Sequence, residues 1–143
     1  MLTSSFFDYK GPGRISIARR APRGDSGYRV CQQLAPGPWF MSVPPREYVR
    51  RYFEEILKPL DPRALHDRLV EMGGGTAVLL CWERLPFTTP DRWWEKPESE
   101  DVNIDFKNWC HRTLVAAWME DALGIEVKEW QPEPKVTAQS LLL

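Results

Sequence analysis

Long apolar runs are missing from this 143-residue chain, and none approaches the roughly 20 residues that a membrane-spanning helix needs. The opening residues lack a basic stretch followed by an apolar one, so no signal peptide is expected. An excess of one charge is also missing. Nineteen Lys and Arg face 20 Asp and Glu, a net charge of −1, which argues against a histone-like or polybasic coat for DNA. Cysteine is scarce and odd in number, at three, so free thiols in a cytoplasmic chain are expected rather than a disulfide framework. There is no internal repeat and no low-complexity tract. What is there suits one soluble globular domain: 43% hydrophobic and 27% charged residues, in a chain long enough to bury a core without staples.

The pattern along the chain predicts a single α/β domain over residues 1–130, with a mostly parallel sheet, flanking helices and a long insertion at 84–108. Residues 131–143 read as a C-terminal tail. Residues 2–7 mix Thr, Ser and Phe and suit a short strand. Residues 14–18 alternate polar and apolar, as a strand does, and end in Arg19-Arg20. Residues 21–45 hold five prolines and three glycines and read as an irregular loop that Trp39, Phe40 and Met41 pin to the core. Over 46–57, Tyr48, Tyr52 and Ile56 fall on the same broad apolar helix face as Val49, Phe53 and Leu57. Asp61-Pro62 has the look of an N-cap with Pro at N1, and the helix it opens stops at Gly73-Gly74-Gly75. Residues 76–82 carry Ala-Val-Leu-Leu without a charge, the mark of a strand buried on both faces. A helix over 109–123 ends at Gly124, and 125–130 alternates again. The last three elements predict a right-handed βαβ unit with parallel strands.

In open α/β sheets, ligands bind beyond the carboxyl ends of the strands. Three groups are expected there. Cys81-Trp82-Glu83 leaves the buried strand, Cys110-His111-Arg112 opens the following helix, and Arg19-Arg20 leaves the strand at 14–18, provided that strand is parallel to the others. A helix N-terminus with free N–H groups, flanked by arginines, makes an anion site. The same setting favours a thiolate at Cys110. Each part also has a plainer reading. Cys81 suits a small apolar filler, His111 a capping or surface histidine, and Arg19 and Arg20 solvated or paired surface charges. Cys81, Cys110 and His111 offer three zinc ligands, the count of a catalytic site. Adjacent Cys and His on one helix point about 100° apart, however, so no metal and no cofactor is expected. His66 falls among charges on a helix surface, and Cys31 has no identifiable partner.

The run Val78-Leu79-Leu80-Cys81-Trp82-Glu83, followed later by Cys110-His111-Arg112 and Leu114-Val115-Ala116-Ala117-Trp118-Met119, resembles domain-of-unknown-function family 488. Ser16-Ile17-Ala18-Arg19-Arg20 is similar to that family's N-terminal strand with trailing Arg. Leu34-Ala35-Pro36 and the Tyr-rich helix after it resemble one branch of the family. The likeness spans roughly residues 2–130. It implies a small cytoplasmic α/β fold without a settled activity. By position it implies a site of Arg19, Cys81, Glu83, Cys110, His111 and Arg112. The chain departs from the family in the 28 residues between Cys81 and Cys110, where a much shorter loop is expected. With Trp93-Trp94 and its acids, this segment reads as a lid over the site or an added surface for a protein partner.

Two functions follow. The first is an enzyme on a phosphate-bearing, nucleotide-like or nucleic-acid-end substrate. Arg19, Arg20 and Arg112 would hold the anion and Trp82 would flank it. Glu83 or His111 would be the acid–base group, and Cys110, with Cys81 beside it, the nucleophile. The second is a module without chemistry that binds nucleic acid or protein. Its six basic residues between Lys10 and Arg29, with Trp39, Trp93 and Trp94, suit single strands.

Overall fold

The computed structural model describes residues 1–24, 26–87, 89–105 and 107–133. Its centre is the uncharged run Val78–Cys81, four consecutive buried residues. A strand with no polar face needs apolar cover on both sides, and it gets both here. Leu79 turns into a large cluster with Ile15, Leu69 and Leu114. Val78 and Leu80 turn the other way, onto Phe6, Tyr9 and Ala18. That is the period-two alternation of a pleated strand.

Five strands form one all-parallel sheet. They are β1 (Leu2–Ser5), β2 (Arg14–Ser16), β3 (Arg29–Val30), β4 (Val78–Cys81) and β5 (Lys128–Glu129), in the order β3-β2-β4-β1-β5. Ser5 sits opposite Cys81 and Ser16 opposite Leu80, so β1, β2 and β4 end at one edge. The α/β expectation holds, and the strands at 14–18, 76–82 and 125–130 share the sheet. β5 runs parallel to β4, with β1 hydrogen-bonded between them. β3 lies inside the stretch expected to be irregular, where Ile15 pairs with Arg29.

Helix α1 (Pro45–Arg51) continues as a π-helical turn, Tyr52–Leu57, closed by the Lys58 amide donating to the Phe53 carbonyl at 2.8 Å. Helix α2 (Pro62–Met72) is capped by Asp61, whose carboxylate accepts from the Ala64 amide at 3.0 Å. Helix α3 (His111–Leu123) ends at Gly124, left-handed at φ 66°. All three put their apolar faces into the larger cluster, on one side of the sheet. The other side is covered from loops, by Tyr28, Phe87 and Trp130 with Phe6 and Tyr9. Of the loop residues expected as anchors, Trp39 is buried and Phe40 partly so, but Met41 stands 77% exposed.

The insertion docks through Trp93, which is 1% exposed and meets Trp109 edge to face at 5.7 Å. Arg46 of α1 holds the segment as well, donating to the carbonyls of Lys96 and Pro97 at 3.0 and 3.2 Å. Its acids pair locally, Glu95 with Arg92 and Glu100 with Lys96. Among the described residues, no helix is long and apolar enough to cross a membrane. The tail assigned to 131–143 lies outside the described residues beyond 133.

Candidate functional site at the carboxyl edge of the sheet

Because the strands are parallel, β2 and β4 deliver their following residues to the same edge, and α3 starts there. A cavity of about 340 Å³ opens at that point. Arg19, Arg20, Cys81, Trp82, Glu83, Cys110 and His111 all line it. Seven of the eight residues expected from sequence therefore converge. Sequence reading missed the rest of the wall. Phe40, Tyr48 and Trp109 add aromatic surface, and the exposed Met41 stands at the mouth. Tyr48 was visible only as one tooth of an apolar helix face. Nothing in the spacing indicated that this end of the face meets a cavity.

The eighth residue is elsewhere. Arg112 is completely buried. Its Nε and Nη2 fork onto the two carboxylate oxygens of Glu129, each at 2.8 Å. Its Nη1 donates to the Glu83 carbonyl at 2.6 Å and to Cys81 Sγ at 3.1 Å. The guanidinium lies 4.8 Å from the Phe87 ring centroid. A fork so fully engaged does not hold a substrate anion, and this corrects the role expected for Arg112. The cause is helical geometry: one residue beyond His111, the side chain is turned about 100° away from the cavity.

Arg19 and Arg20 are exposed at the rim. Arg19 spends one donor on the Pro36 carbonyl at 3.2 Å and lies 6.0 Å over the Phe40 ring, which leaves most of its fork for a ligand. Arg20 makes no ion pair among the described residues. Its backbone carbonyl accepts from the Trp82 indole at 2.7 Å, which fixes that ring at the rim. Burial raises the Glu83 carboxyl above the usual range. A hydrogen bond from its own backbone and the charge of Arg112 oppose this in part.

His111 is held from behind. Its Nε2 lies 2.7 Å from the Ile17 carbonyl. A carbonyl only accepts, so Nε2 carries the proton and Nδ1 is bare. Burial pushes the imidazole down to about 4, and the charge of Arg112 adds to this against the pull of the Ile17 carbonyl. The ring is neutral at neutral pH. It is neither a surface group nor a cap.

Two further expectations are overturned here. Cys81 and Cys110 were expected as free thiols, with Cys110 as nucleophile, and their sulfurs are joined across the cavity wall. The pairing follows from topology, since the end of β4 and the entry to α3 face each other. While joined, neither sulfur is a nucleophile. Cys110 was also placed inside the helix, at an angle to His111. It is the N-cap, extended at φ −143° and ψ 150°, and its Sγ lies 3.8 Å from His111 Nδ1. The objection that these two side chains diverge therefore fails. Cys31 remains a buried free thiol.

Among the described residues, nothing from 84–108 lines this cavity, so the lid reading of the insertion fails. The segment instead walls a second groove of about 910 Å³ with α3 and β5, through residues such as Phe87, Arg92 and Trp94. That groove is larger, but its Arg92 is already paired with Glu95, Glu120 and Asp121. The smaller cavity holds the sulfurs, the imidazole, the half-buried carboxyl and the available arginines.

No protein-family model, no curated protein and no solved structure matches this chain.

Proposed function

We propose that the carboxyl-edge cavity binds a phosphate-bearing, nucleotide-like small molecule and that the protein is an enzyme acting on it. The observation that carries this reading is the meeting of Arg19 and Arg20 with Glu83 at one aromatic-walled cavity. The arginines would fork onto the phosphate. Trp82 and Phe40 would take the planar group. Glu83 is the acid–base candidate by position, since the His111 Nε2 proton is committed to Ile17. The volume falls in the lower part of the roughly 300–1,000 Å³ that small-ligand sites occupy.

The resemblance to domain-of-unknown-function family 488 belongs to the same proposal, with this cavity as the family's site. So does a cytoplasmic setting, where reductants act on the Cys81–Cys110 bond.

Titrating a panel of nucleoside mono- and diphosphates, followed by calorimetry, tests it. At least one should bind saturably. The Arg19→Ala/Arg20→Ala double variant should lose about 10–100-fold in affinity, as expected when charge-assisted contacts of about 1.5–3 kcal/mol are removed. No binding by any nucleotide, or unchanged affinity in the variant, overturns the reading. Binding of single-stranded oligonucleotides alone, lost with added salt, would favour a non-catalytic nucleic-acid module instead.

A further inference from the structure

The Cys81 and Cys110 sulfurs and a ring nitrogen of His111 lie within 4.8 Å of one another, and all three residues are buried. We propose that in the reduced protein Cys81, Cys110 and His111 hold one zinc ion whose fourth position faces the cavity.

Four observations support it. The His111 nitrogen turned toward Cys110 Sγ is the bare one, because Nε2–H is donated to the Ile17 carbonyl. A backbone carbonyl on the far nitrogen is the usual way a ligating imidazole is fixed. Cys81 Sγ already accepts from the Arg112 guanidinium, a cationic donor suited to a metal-bound thiolate. Arg112 is itself fixed by Glu129. The Cα atoms of the two cysteines stand 7.2 Å apart. That is wider than the roughly 4.4–6.8 Å usual for a disulfide. Zn–S bonds of about 2.3 Å hold two tetrahedral sulfurs about 3.8 Å apart, and so suit a wider backbone separation. Finally, all three residues line the same cavity as Arg19 and Glu83.

Binding is a proton exchange: the two thiols give up their protons to solvent as the ion enters. Two thiolates and a neutral imidazole leave the ion formally neutral, with a water as fourth ligand. Soft sulfur and imidazole in a tetrahedral set select zinc over magnesium or calcium. Three protein ligands with one open place is the catalytic pattern. This places a Lewis acid and a polarised water beside Glu83. The class of reaction it suits is hydrolysis of a phosphate ester: the water oxygen bonds to phosphorus, the P–O bond to the alcohol breaks, and the water's proton passes by way of Glu83 to the leaving alcohol. The metal site stands on its own geometry and does not depend on the ligand being a nucleotide.

The test uses the full chain, reduced with a phosphine and kept free of oxygen. Zinc is added and the protein is dialysed before metal analysis. A parallel cobalt(II) titration is read by absorption. One equivalent of zinc should be retained. Cobalt should give a thiolate charge-transfer band and the intense visible bands of a tetrahedral site. Cys81→Ser and Cys110→Ser should each lose stoichiometric binding and weaken the charge-transfer band. Cys31→Ser should keep both, and near-ultraviolet circular dichroism checks that each variant is folded. Reduced, folded wild type that retains no metal overturns the proposal, as does equal retention by folded Cys81→Ser. A Cys81–Cys110 disulfide that persists against zinc under reduction also overturns it. None of these results depends on nucleotide binding.

Discussion

Arg112 ties three parts of the chain together beside the site. It spans β4, the Cys81–Glu83 exit and β5 with one guanidinium. Removing it takes the guanidinium from Cys81 and the Glu83 carbonyl and leaves Glu129 with only the Thr3 hydroxyl, which donates to it at 2.8 Å. Arg112→Ala should cost about 3–5 kcal/mol, the range for breaking a buried pair, read as a lower urea midpoint. Arg112→Lys should recover little of this, because an ammonium cannot reproduce the fork. Full recovery by Lys would mean that charge alone matters there. Tyr52 makes a smaller case. Its hydroxyl donates to the Leu34 carbonyl at 2.7 Å in a fully buried position. Tyr52→Phe should cost about 1 kcal/mol by leaving that carbonyl unpaired. At this scale the sequence was informative about which residues gather and poor about what each one does. Arg112 adjoins His111 in the chain, and nothing in a linear reading says that Glu129 occupies it.

At the scale of elements, turn chemistry was the most legible part. Asp61-Pro62 opens α2 and Gly124 closes α3 as their residue types require. Gly13 shows what a turn demands beyond its φ of 82°. A Cβ there would run into the backbone carbonyl of Thr76, whereas at Gly124 it would meet open space. Gly124→Ala should therefore cost only the left-handed backbone penalty, about 1–2 kcal/mol. Gly13→Ala should cost clearly more, since Thr76 is backbone and cannot move aside. Equal losses in thermal midpoint would contradict the close approach. β3 was illegible because two paired residues inside a Pro- and Gly-rich stretch leave no period to detect. The helix expected from Trp109 starts two residues later, at His111, which puts Cys110 at the cap rather than inside the helix. That shift decided whether its sulfur could meet His111.

For the whole molecule, the all-parallel order brings the ends of β2 and β4 and the start of α3 to one edge. The βαβ pattern predicted the parallel strands at 76–82 and 125–130, and the parallel run of β2 beside β4 is what completes the meeting of seven of the eight expected residues. The path of the insertion did not follow from any pattern. Its two tryptophans suited a lid or a partner surface, and Trp93 packs instead against Trp109 at 5.7 Å. Since the segment is no lid, Trp94→Ala should leave the alkylation rate of the reduced Cys110 thiol unchanged. A faster rate would restore the lid.

The central claim is that ligand binds at the carboxyl edge and not in the larger groove beside the insertion. Indole N–H resonances report on both places, since Trp82 and Trp109 line the cavity and Trp94 lines the groove. With these signals assigned by single Trp→Phe changes, a nucleoside monophosphate is titrated into ¹⁵N-labelled protein. Saturable shifts of Trp82 and Trp109, with Trp94 unmoved, are predicted. Shifts confined to Trp94, or no saturable shift at any indole, would contradict the claim.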